Sequence, residues 1–164
     1  MKLTSIVAAL VLPAATHVAA QCPNLALAVA APACSSSGAP LPTLKESVQP
    51  TPSLSQPCKV VFELTTPPFC CNIFVAGRLL ALGVDAGSLP LPGGCTLNVL
   101  PLAVLAFPAP SGASGTSVLE IPLPAAPSTL GITVLAEAAV VRFDTMAMAT
   151  YVDTTQTHKL AFVP

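Results

Sequence analysis

Three glutamates in strand-like surroundings, one histidine beyond the first twenty residues and six cysteines are the groups of this chain that could do chemistry. A Ser–His–acid hydrolase needs an imidazole base held by a carboxylate and a nucleophile on a strained turn. His158 is the one downstream histidine and no GxSxG occurs, so His158 reads as a strand residue near the C-terminus with its ring at the surface. A glycosidase needs two carboxylates facing each other across a bond. Glu63 and Glu120 alternate with apolar neighbours and read as solvent-facing. Glu137 shares a face with Leu135, Ala139 and Val141, which makes it a half-buried acid paired with Arg78 or another donor, because an unpaired buried charge is costly. Asp144 and Asp153 flank a short strand, but the dense oxygen-ligand loop of a calcium site is missing.

The cysteines are Cys22, Cys34, Cys58, Cys70, Cys71 and Cys95. No CxxC pair occurs, and a structural zinc site needs four clustered ligands, so neither a metal nor a cofactor is expected. An even count in an exported chain argues for three disulfides, with fifteen connectivities open. Cys22–Cys34 is the favoured pair, because the segment between them is short and apolar. The Cys70–Cys71 doublet reads as two cysteines with different structural partners rather than as a redox pair.

Export itself is read from "MKLTSIVAALVLPAATHVAA", residues 1–20. Lys2, a short apolar run from Ile6 to Leu12, and small residues at Val18 and Ala20 follow the order of a secretory signal peptide. Beyond position 20 stand five basic and seven acidic residues, a formal balance of −2. No basic patch faces a phosphate backbone, so nucleic acid is not an expected partner. Charge is scarce at 8%, where about a quarter is usual.

The elements that position these groups are short. Prolines 40, 42, 50, 52 and 57 break residues 35–57 into an extended strap with at most short edge strands. "KVVFELTT" alternates, with Val60, Phe62 and Leu64 on one face. A second strand run spans residues 70–82, with Gly77 as a bulge, and "GVDAGSLPLPGG" reads as a loop. "SVLEIPLP" turns Leu119, Ile121 and Leu123 inward; strand runs at 131–143, 146–152 and 158–163 follow. The stretch Leu97–Phe107 is almost wholly apolar, but Pro101 and Pro108 cut it far below the span of a bilayer. It reads as a buried strand from Thr96 to Leu100 and a second piece, covered on both sides. No transmembrane segment is expected beyond the signal. Short strands between Gly, Pro and Ser turns predict an all-β fold: an immunoglobulin-like antiparallel β-sandwich over 58–164, preceded by a Pro-rich, disulfide-tied N-terminal strap over 21–57.

The segments "CSSSGAPLPTL", "KVVFEL", "LALGVDAGSLPLPGGCTLNVLPL" and "SVLEIPLPAAPSTLGITVLAEAAVV" follow one another in an order that resembles a family of secreted β-sandwich domains abundant in planctomycetes and related environmental bacteria. The resemblance runs from about Cys34 to the C-terminus. It implies an exported all-β module, often attached to repeat-bearing or anchoring proteins, with no assigned activity. That family often carries Gln at the position of Glu137.

Two classes of function fit these residues. The first is a non-catalytic structural or interaction module of the extracellular or cell-envelope space, whose partner is a protein, the envelope or another copy of itself. The second is a secreted hydrolase or a carbohydrate-binding protein. The absence of Trp and the single Tyr151 leave few stacking platforms for a sugar.

Overall fold

The computed structural model of the chain describes residues 22–53, 55–68, 72–110, 115–124 and 130–164. The signal at 1–20 and the Cys70–Cys71 doublet lie outside the described residues. In chain order the strands are β1 (Asn24–Ala31), β2 (Thr43–Pro50), β3 (Cys58–Thr65), β4 (Ile73–Gly83), β5 (Asp85–Pro90) and β6 (Thr96–Leu100). Then come β7 (Ala103–Ala106), β8 (Thr116–Leu123), β9 (Thr133–Asp144), β10 (Ala149–Thr154) and β11 (Thr157–Val163). Among the described residues no helix is long and apolar enough to cross a membrane.

All the sheets are antiparallel. The three-stranded sheet runs β2-β3-β8, and the six-stranded sheet runs β1-β11-β9-β4-β7, with β10 also on β9. The alternation in the sequence accounts for the layering. Val60, Phe62 and Leu64 of β3 and Leu123 of β8 pack against Leu80, Ala136, Ala138, Val140 and Leu160 of the larger sheet, forming one apolar core between the two. At about 25 cal/mol per Å² of buried apolar surface, this interior is the main stabilising term.

β9 is the hub. β4 pairs with it from Asp144 to Leu135, while its other edge is shared, β11 taking residues 133–136 and β10 taking residues 139–144. Between them Thr155 bridges the gap: its hydroxyl accepts the Ala138 N–H at 2.9 Å, and its own N–H reaches the Ala138 carbonyl. The Ala-rich run is strand rather than helix because both its faces are covered. Ala136, Ala138 and Val140 face the three-stranded sheet; Leu135, Glu137 and Ala139 face a third layer, the β5–β6 hairpin. Gly83 permits that hairpin to lie close. A Cβ there would stand 2.2 Å from the Leu100 carbonyl oxygen.

Three expectations change. "GVDAGSLPLPGG" holds strand β5, because β6 gives its backbone a partner. The strap carries two eight-residue strands, each at the edge of a sheet, so it helps to build both layers. Leu97–Phe107 is not covered on both sides. Leu97, Val99 and Phe107 are buried, but Leu100, Leu102 and Val104 are exposed, because β6 has the large sheet on one face only and β7 is an edge strand. The bulge at Gly77 is present, as a shift in the β4–β9 register between Val75 and Gly77.

Candidate functional site

Two of the cysteine pairs are visible, and they correct the favoured one. Cys22 bonds Cys58 and Cys34 bonds Cys95. Cys22–Cys34 cannot form because β1 lies between them. Eight extended residues span about 26 Å, against the roughly 6 Å that a disulfide allows. Cys22–Cys58 ties the start of β1 to β3, and so joins the two sheets. Cys34–Cys95 ties the strap to the β5–β6 hairpin.

Glu137 is fully buried rather than half-buried, and its partners are neutral. Its Oε2 accepts the Asn98 backbone N–H at 2.7 Å and the Thr157 hydroxyl at 2.9 Å; the Asn98 side-chain amide donates to Oε1 at 3.4 Å. The Thr154 hydroxyl, which has no hydrogen-bond partner of its own among the described residues, lies beside the same carboxylate. Burial pushes the Glu137 carboxyl above its ordinary value, against the pull of these donors. Arg78 is not its partner. Arg78 belongs to the opposite face of the sheet, next to Val140, and donates from Nε to Thr66 Oγ1 at 3.1 Å. Glu63 and Glu120 are exposed as expected, Glu120 pairing with Lys59 across β3 and β8 at 2.5 Å. The three glutamates therefore do not converge.

His158 is not at the surface. Its Nδ1 lies 2.6 Å from Glu46 Oε1, with side-chain exposures of 15% and 1%. The pair joins β11 to β2, across the two sheets. Burial raises the Glu46 carboxyl and the contact with His158 pulls the other way. Glu46 carried no site reading in the sequence. Its neighbours Lys45 and Ser47 give it the look of a solvated edge, and only the facing sheet makes it a buried partner.

Asp153 and Arg142 form a third buried group. Arg142 Nε donates to Asp153 Oδ2 at 2.7 Å, with side-chain exposures of 1% and 0%. The same carboxylate gathers the strap loop: Ser36 N–H at 2.8 Å, Ser37 N–H at 3.1 Å and Ser37 hydroxyl at 2.7 Å. Burial alone would raise the Asp153 carboxyl, but the donors from Ser37, Ser36 and Arg142 outweigh it and hold it below its ordinary range. "CSSSG" is thus a clamp on β10, a role visible only once the carboxylate beneath it is placed.

Each buried acid binds one element to another: strap to β10, β2 to β11, hairpin to β9. No nucleophile stands beside the His158–Glu46 pair in the hydrogen bonds of the described residues, and no three potential metal ligands cluster there. Between the sheets, at the end away from Arg142, lies an apolar cavity of about 300 Å³ walled by Val60, Phe62, Ile121, Leu123, Val134 and Phe162. Compared with known proteins, the chain matches no family, no curated protein and no solved structure.

Proposed function

We propose that this chain is an exported, non-catalytic interaction module that joins a second copy of itself, edge to edge, through β1. The observation that carries the reading is the mismatch between the layers. The large sheet extends past the three-stranded sheet, so Leu27 and Val29 on the inner face of β1 are 51% and 60% exposed although their β11 partners Leu160 and His158 are buried or nearly so. β1 is also an outermost strand without a single charge or proline. Edge strands are normally guarded by such residues, and an unguarded one is a template for strand addition. Two copies of one edge pair antiparallel about a two-fold axis, and their low charge offers little repulsion.

The rival readings, a secreted hydrolase or a sugar binder, find less support. Glu137 is shut away from any substrate, and Tyr151, the one tyrosine of a chain without Trp, is half-buried. Two disulfides support an oxidising, extracellular or envelope setting. Membership of the secreted planctomycete-type family and an immunoglobulin-like connectivity belong to the same proposal. Signal cleavage is tested by the mass of exported protein, which should begin at Gln21; an intact Met1 overturns it.

Sedimentation of the oxidised chain tests the association. A concentration-dependent dimer is expected, reduced to monomer by Leu27→Lys with Val29→Lys at an unchanged thermal midpoint. A wild-type monomer throughout the micromolar range, or a dimer indifferent to both changes, overturns the reading.

A further inference from the structure

The end of the inter-sheet space opposite the apolar cavity has a different character. There Arg78 of β4 and Arg142 of β9 line one cavity of about 450 Å³, with Thr66 and the apolar walls Pro67, Ile73 and Val75. We propose that this cavity binds a small organic anion, its carboxylate held by the two guanidiniums and its apolar body against the Pro67, Ile73 and Val75 walls.

The bulge in β4 builds the site. Val75 and Arg78 are three apart, so on a regular strand they would face opposite sides of the sheet. The register shift between Val75 and Gly77 turns both toward the same cavity. A bulge commonly re-aims a side chain in this way. On β9 no such device is needed, because Arg142 is two residues from the core residue Val140 and shares its face.

The donors are not satisfied by the protein. Arg142 Nε is taken by Asp153, but its Nη2 is buried and has no hydrogen-bond partner among the described residues. A buried charged donor left unmatched is costly, and a ligand oxygen would match it. Arg78 gives Nε to Thr66 and forms no ion pair among the described residues. Two guanidiniums thus face one lining-side carboxylate, Asp153. Asp144, the next inward position on β9, turns Oδ1 to the amides of Met146 and Ala147 instead. Burial, and then the charge of Arg142, lowers the proton affinity of Arg78, as expected for two cations sharing one space. Planar guanidiniums suit a carboxylate, and the volume is that of a small-ligand site.

Calorimetric titration of the oxidised chain with hexanoate, acetate, inorganic phosphate and 1-hexanol tests the proposal. Hexanoate should bind saturably and more tightly than the other three. Arg78→Gln should weaken it by about tenfold or more, with the thermal midpoint confirming a folded variant, while Lys159→Gln on the far face should leave it unchanged. Absence of saturable hexanoate binding, equal binding by Arg78→Gln, or phosphate or hexanol binding as tightly as hexanoate would each overturn it.

Discussion

Glu137 of β9 accepts a 2.7 Å hydrogen bond from the backbone N–H of Asn98 on β6. A side chain here does between two layers what a carbonyl does within a sheet, and it anchors the hairpin on the outer face of the large sheet. Because burial raises this carboxyl above its unfolded value of about 4.5, the folded state holds the proton more tightly. Its contribution to stability is complete below pH 4.5 and falls as pH rises through the folded pKa. Glu137→Gln should therefore fold, and should gain on wild type between pH 4 and pH 8 in urea unfolding. Glu137→Ala leaves the Asn98 N–H unmatched and should cost about 1–3 kcal/mol at either pH.

Asp153 has the opposite sign. Its carboxyl is held below its unfolded value of 3.8, so its stabilisation is present above that pH and is lost as pH falls through the lower folded value. Asp153→Asn removes the counter-charge of buried Arg142 and should cost roughly 3–5 kcal/mol at neutral pH. The variant should also lose stability less steeply below pH 4, which acid titration of the thermal midpoint measures. A variant as acid-sensitive as wild type would refute the clamp.

Two glycines separate close approach from ordinary contact. Gly83→Ala drives a Cβ against the Leu100 carbonyl and should cost about 1–3 kcal/mol by lifting the hairpin. At Gly77 the nearest side-chain atom to a Cβ is Val141 at 3.8 Å, so Gly77→Ala should shift the melting midpoint much less.

Peptide mapping without reduction should recover Cys22–Cys58 and Cys34–Cys95. Replacing Cys34 and Cys95 together by Ala should lower stability by about 2–5 kcal/mol. A recovered Cys22–Cys34 peptide would contradict the register of β1.

Period-two alternation in "KVVFEL" and "SVLEIPL" determined strands β3 and β8, their inward residues, and the solvent-facing Glu63 and Glu120. Gly and Pro punctuation determined the all-β class, and the Gly77 bulge was legible because a glycine interrupts an apolar strand. These features are local, so short windows encode them. The tertiary structure alone decided what faces β9, and with it the full burial of Glu137; alternation names two faces but not what covers each. It also decided the disulfides, since pairing depends on where an extended β1 carries Cys34. The His158–Glu46 contact and the shared Arg78–Arg142 cavity arise where two sheets and a bulge bring distant positions together. Such proximity depends on strand order and register, which no single segment of this chain specifies.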